Sequence, residues 1–120
     1  MNIWLDDERD PKNYVDEKEY LAGLWVWVKT ADEVIALLES GKVDMISLDH
    51  DLGGEKTGYD VAKWIEASAY VGGPRLRWFI HTANPVGYYN IMGALLKAER
   101  YWLANEGRRP AKEPTVEEAQ

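Results

Sequence analysis

The chain has 120 residues, of which 46% are hydrophobic and 29% charged, with a formal charge of −7, a pI near 4.8 and no cysteine. These values describe one globular domain with a single core, and they exclude disulfides, thiolate metal sites and the surplus of Lys and Arg needed to wrap nucleic acid or bind an anionic membrane. No apolar run approaches the ~20 residues of a membrane-spanning helix, and the amino terminus lacks the basic and apolar regions of a signal peptide, so a cytoplasmic setting is expected.

In chain order, Asn2 to Leu5 reads as a short strand that runs into Asp6-Asp7-Glu8-Arg9-Asp10-Pro11, a segment too acidic and Pro-limited to continue it. Lys12 to Gly23 is polar with scattered Tyr14, Val15, Tyr20 and Leu21, which suggests a short or irregular helix. Leu24-Trp25-Val26-Trp27-Val28 is β-branched and aromatic on both faces and predicts a strand. Thr30 with Glu33 has the spacing of a capping box. Val34, Ile35, Leu37 and Leu38 then supply an apolar stripe, and Gly41 a stop.

Val43, Met45, Ile46 and Leu48 form a buried-strand segment that ends abruptly in Asp49-His50-Asp51 before Gly53 and Gly54. Thr57 or Asp60 is placed to cap a helix carrying Val61, Trp64 and Ile65 inward, which ends at Gly72-Gly73-Pro74. A fourth strand near Leu76 to Ile80 runs into His81-Thr82-Ala83-Asn84-Pro85. A last helix comes next with Ile91, Leu95, Ala98 and Trp102 at helical spacing, stopping near Gly107. The division expected is a domain over 1–107 and a loosely ordered charged tail over 108–120.

Strands alternating with helices imply a doubly wound parallel sheet with strands one and three side by side, so Asp6, Asp7 and Asp49 converge at carboxyl ends of strands, where such folds bind ligands. Neighbouring strands lie ~4.8 Å apart, close enough for these acids to share a hard cation such as Mg²⁺ or Mn²⁺. Each acid alone also fits a turn or loop cap; the joint placement is what favours a cation site. Asp51 either reaches the same ion or bonds its own turn.

His50 and His81 are the only histidines and both end strands expected to be neighbours. They fit general base and acid, metal ligands, or structural imidazoles. Thr82 and Asn84 are candidates to donate to phosphate oxygens, with turn formation the alternative for Asn84. Core packing is the expected role of most of the six tryptophans, Trp4, Trp25, Trp27, Trp64, Trp78 and Trp102. Arg75, Arg77, Arg100, Arg108 and Arg109 either include one phosphate-binding arginine or are ordinary surface.

An acidic pair after strand one, Asp49 ending strand three and Thr82-Ala83 ending strand four resemble a response-regulator receiver domain, with close register from Thr30 to Ile65. Two departures stand out: His50-Asp51-Leu52-Gly53 replaces the usual proline-containing exit, and no fifth strand with a receiver's lysine comes after the last helix. With Ile3-Trp4-Leu5-Asp6-Asp7-Glu8-Arg9, Ser47 to Gly53 and His81 to Gly87, the chain resembles the cyclic-phosphate-processing receiver-like family over about residues 2 to 100.

The resemblance implies an α/β, flavodoxin-like sheet of four strands in order 2-1-3-4 and a metal-dependent domain acting on or recognising cyclic phosphates, either cyclic nucleotides or RNA ends bearing a 2′,3′-cyclic phosphate. Asp6, Asp7 and Asp49 would hold Mg²⁺ or Mn²⁺, His50, His81 and Asp49 would form the catalytic set, and Thr82, Asn84 and Asp51 would bind substrate. Two rival functions are compatible with the same residues: a non-catalytic module for a nucleotide or protein partner, and a phosphoacceptor switch at Asp49.

Overall fold

The computed structural model describes residues 1–106; the tail expected over 108–120, with Arg108 and Arg109, lies outside them. Four strands, β1 (Asn2–Leu5), β2 (Trp25–Val28), β3 (Met45–Leu48) and β4 (Arg77–Ile80), form one all-parallel sheet in the order β2-β1-β3-β4. Register places Leu5 beside Val28 and Leu48, and Leu48 beside Ile80, so all four strands end level. The loops leaving the strands are thereby gathered along one edge of the sheet.

Side chains alternate across a strand, and here the two faces have different fates. Ile3, Leu5, Ile46 and Leu48 are completely buried under three helices: α2 (Ala31–Glu39), α3 (Gly58–Tyr70) and α4 (Pro85–Glu106). Each Ile or Leu buried this way contributes about 1.5–3 kcal/mol over leaving it exposed. Helix α4 turns Gly87, Ile91, Ala94, Leu95, Ala98 and Trp102 inward, recurring every three or four positions, and its small residues let it lie closely against α3. The opposite face, with Trp4, Trp25, Met45, Ser47 and Phe79, is covered only in part, by a 3₁₀ turn at Pro11–Asn13 and α1 (Glu17–Leu21), which buries none of its residues. The irregular helix expected over Lys12 to Gly23 is therefore two short pieces, each capped by the aspartate before it, Asp10 and Asp16.

Caps fix where the long helices begin. Thr30 accepts from the Glu33 amide as anticipated, but the Glu33 carboxylate takes the Thr30 hydroxyl instead of closing the reciprocal bond. The complete capping box is at α3, where Thr57 is the cap and Asp60 its partner, resolving the choice between them. Asn84 caps α4 by accepting from the Gly87 amide at 3.0 Å, with Pro85 at the first helical position.

Of the tryptophans, Trp4 and Trp102 are buried. The other four are only partly buried, and three of them direct the indole N–H to a fixed acceptor: Trp25 to Glu19, Trp27 to the Asp6 carbonyl and Trp78 to Glu99. None of the described helices is long and apolar enough to cross a membrane.

Candidate functional site: a carboxylate cleft at the strand ends

Because β1 and β3 are neighbours ending level, Asp6 and Asp49 emerge side by side, 1% and 6% exposed, and Asp7 stands next to them. One carboxylate oxygen from each of the three lies within 4.8 Å of the others. They line an open cleft of about 460 Å³ together with Glu8, Arg9, Asp51, Thr82 and Ala83. An all-carboxylate donor set of this spacing suits a hard divalent cation. No hydrogen bond falls on Asp49 Oδ2 among the described residues, and that oxygen remains available to a ligand.

Asp6 is differently placed, since both of its oxygens are already engaged. Oδ1 accepts the backbone amides of Glu8 (2.9 Å) and Arg9 (2.8 Å), while Oδ2 accepts Arg9 Nε (2.9 Å) and His81 Nε2 (3.1 Å). Burial opposes ionisation of Asp6, but the two amides and the Arg9 charge outweigh it and hold the carboxyl below its ordinary value. Arg9 reaches further, with Nη2 3.1 Å from the His81 carbonyl and 3.4 Å from Asp49 Oδ1. This arginine went unassigned at the level of sequence, where attention fell on five others. Of those, Arg75 is paired with Glu99, and neither Arg77, which begins β4, nor Arg100 lines the cleft.

His81 is held on every side. Its ring stacks on Trp4 with centroids 3.7 Å apart and planes 4° from parallel. Ser47 Oγ lies 2.7 Å from Nδ1, so a neutral imidazole accepts the Ser47 hydroxyl there and donates Nε2–H to Asp6. Burial depresses the His81 pKa from 6.5, against the raising influence of Asp6 and Asp49. A group that folding keeps neutral lends stability that is complete above the unfolded value, about 6.5, and is lost as pH falls below it towards the lowered folded value. With a chelator present, the melting midpoint should drop between pH 7.5 and 5, and His81→Phe should flatten that slope. An equal slope in both proteins would reject the assignment.

His50 faces different surroundings. Its Nδ1 lies 2.9 Å from Asp51 Oδ1, and its backbone amide donates to Asp49 Oδ1. The ring lies so close to the α4 backbone that a Cβ on Gly87 would come within 2.3 Å of it. Nε2 has no hydrogen-bond partner among the described residues. Bonding to His50 keeps Asp51 below the ordinary carboxylate value. Asn84 approaches Asp51 at 3.4 Å and caps α4, and it does not line the cleft; Thr82 does, and its Oγ1 accepts the Asn84 amide while keeping its own proton to donate.

The predicted residues thus come together in two groups. Asp6, Asp7, Asp49, Asp51 and Thr82 share the cleft with Arg9, with His81 behind Asp6, while His50 and Asn84 do not line it and connect to it through their contacts with Asp51. No curated protein and no solved structure matches the chain. A family model described as the cyclic-phosphate processing receiver domain matches residues 1–97, which span all four strands and most of α4. The chain therefore belongs to the cyclic-phosphate-processing receiver domains.

Proposed function

We propose that the carboxylate cleft binds a cyclic phosphodiester, a cyclic nucleotide or an RNA end with a 2′,3′-cyclic phosphate, and hydrolyses it with a divalent metal. The observation that carries this reading is the convergence of three carboxylates at the strand ends, followed directly in the chain by a histidine whose Nδ1 is held by Asp51 and whose Nε2 has no hydrogen-bond partner among the described residues. A Mg²⁺ or Mn²⁺ ion held by Asp7, Asp49 and, on release of one of its four donors, Asp6 would supply positive charge to the phosphoryl oxygen. Hydrolysis adds water to phosphorus and breaks one ring P–O bond, so a proton must leave the water and reach the departing ribose oxygen. His50 Nε2, which has no hydrogen-bond partner among the described residues, takes that proton and returns it to the departing oxygen, with Asp51 stabilising the intervening imidazolium. Thr82 donates its hydroxyl to a phosphate oxygen. His81, with both nitrogens committed, acts by fixing Asp6.

The test is single-turnover cleavage of the best substrate from a panel of cyclic nucleotides, cyclic dinucleotides and 2′,3′-cyclic RNA, with Mg²⁺ or Mn²⁺. His50→Ala should lose about 10²–10⁴-fold in rate with unchanged circular dichroism. A near wild-type rate in that variant would refute the proton-transfer role. A non-catalytic module is the second reading, favoured by the partly uncovered sheet face, where Phe79 is 56% exposed; binding without turnover across the panel selects it. A phosphoacceptor role at Asp49 is disfavoured because no lysine is among the described residues lining the cleft.

A further inference from the structure

A guanidinium inside a carboxylate cleft has two readings: permanent partner of a buried acid, or stand-in for another cation. The contacts of Arg9 divide between them. Nε is anchored on Asp6 at 2.9 Å, whereas Nη2 is 3.4 Å from Asp49, beyond the usual length of a charge-assisted hydrogen bond, and shares itself with the His81 carbonyl. Nη1 has no hydrogen-bond partner among the described residues. The side chain is 36% exposed, so its outer end has room to move. Asp49, in contrast, is buried, and Arg9 is the only cation that any described contact gives it.

We propose that Arg9 is the exchangeable counter-cation of the cleft. It neutralises Asp49 when no metal is bound, and it yields Asp49 to a divalent cation while staying anchored on Asp6. The freed Nη edge, with its parallel N–H groups, is then presented to the phosphate of the ligand. This rests on the proposed metal and cyclic-phosphate reading and adds to it a residue that ties the two ligands together: the same arginine opposes the metal and, once displaced, recruits the anion.

Mn²⁺ affinity, read by the paramagnetic resonance of the free ion, tests the exchange without reference to turnover. Arg9→Gln should bind Mn²⁺ about three- to fivefold more tightly than wild type, the upper part of the range expected for loss of one partly exposed competing ion pair. Arg9→Lys, which keeps the charge and loses the fork, should stay within about twofold of wild type. At saturating Mn²⁺, adenosine 2′,3′-cyclic phosphate should bind at least about fivefold more weakly to Arg9→Gln and about threefold more weakly to Arg9→Lys. Equal or weaker Mn²⁺ binding by Arg9→Gln overturns the exchange. Equal nucleotide affinity in all three proteins, including none, overturns recruitment of the phosphate. If wild type binds no Mn²⁺, the metal reading fails on its own; Arg9→Gln gaining the ion would still support exchange, and neither protein binding it would end that too. Should Arg9→Gln fail to fold by circular dichroism, Arg9→Met, which keeps the apolar stem and loses the charge, is held to the same expected Mn²⁺ and nucleotide values, and the Arg9→Lys nucleotide affinity decides recruitment of the phosphate.

Discussion

Replacing Asp6 with alanine is expected to destabilise the protein by about 3–5 kcal/mol, the range for breaking a buried ion pair by removing one partner. Four donors lose their acceptor at once: the amides of Glu8 and Arg9, Arg9 Nε and His81 Nε2. Arg9 is partly exposed and can be rehydrated, which draws the value to the lower end. His81 cannot recover so easily, being clamped between Trp4, Ser47 and the vacated position. Asp7→Ala is the control, because none of these bonds involves Asp7 although it lines the same cleft. Urea unfolding with a chelator present should place Asp7→Ala within about 0.5 kcal/mol of wild type. A loss below about 1 kcal/mol for Asp6→Ala would show that the network contributes little.

Gly58→Ala should be as damaging by a different route. Gly58 opens α3, and its amide donates to the His50 carbonyl at 2.9 Å, so the loop after β3 folds directly back on the helix start. A Cβ there would lie 1.9 Å from the Asp49 carbonyl oxygen and 3.3 Å from the His50 Cα. Both obstacles are backbone and cannot rotate away. Overpacking of this kind costs about 1–3 kcal/mol or more, and relief requires the loop bearing Asp49 and His50 to move. Stability and any activity of the cleft should fall together. Gly54→Ala, in the same loop with nothing within 4 Å of the added carbon, should leave both nearly unchanged. Equal melting midpoints for the two variants would contradict the packing argument.

Asp6, Asp7 and Asp49 were legible from sequence because apolar runs end at them and a doubly wound sheet must align those ends. The order β2-β1-β3-β4 and the caps Thr30 and Thr57 arise from equally readable signals, whereas Asn84, expected as a phosphate donor or turn former, caps α4. Arg9 was not legible, because its reach depends on how its loop is folded. Asp6 Oδ1 gathers the amides two and three residues on and turns the chain back over the cleft, the habit of aspartate at a turn, and that was the available clue. Ser47 gave a quieter one, as a single hydroxyl in an otherwise apolar strand, but its partner depends on register, which sets Ser47 beside Phe79 and just short of His81. The difference between the two histidines was invisible for the same reason. Both lie within two residues of a strand end, yet one turns onto Trp4 and the other onto α4.

The ladder between β1 and β3 joins Asn2 to Met45 and Leu5 to Leu48, a separation of 43 residues in each case. The two halves of the cleft are therefore strangers along the chain, and they meet only after β2 and α2 have been made and crossed over. Closing a loop of that size before its contacts form is the slow kind of step in folding parallel sheets. Asp6 and Asp7 are synthesised before Asp49 and stay unpartnered by it until the sheet is assembled around them. No fragment ending before Asp49 contains the cluster, and a chain that has lost the β1–β3 pairing has lost it as well. The cleft is thus a readout of the finished sheet, and a cation or anion bound there with Asp6 and Asp49 together draws its free energy from the whole fold rather than from one loop.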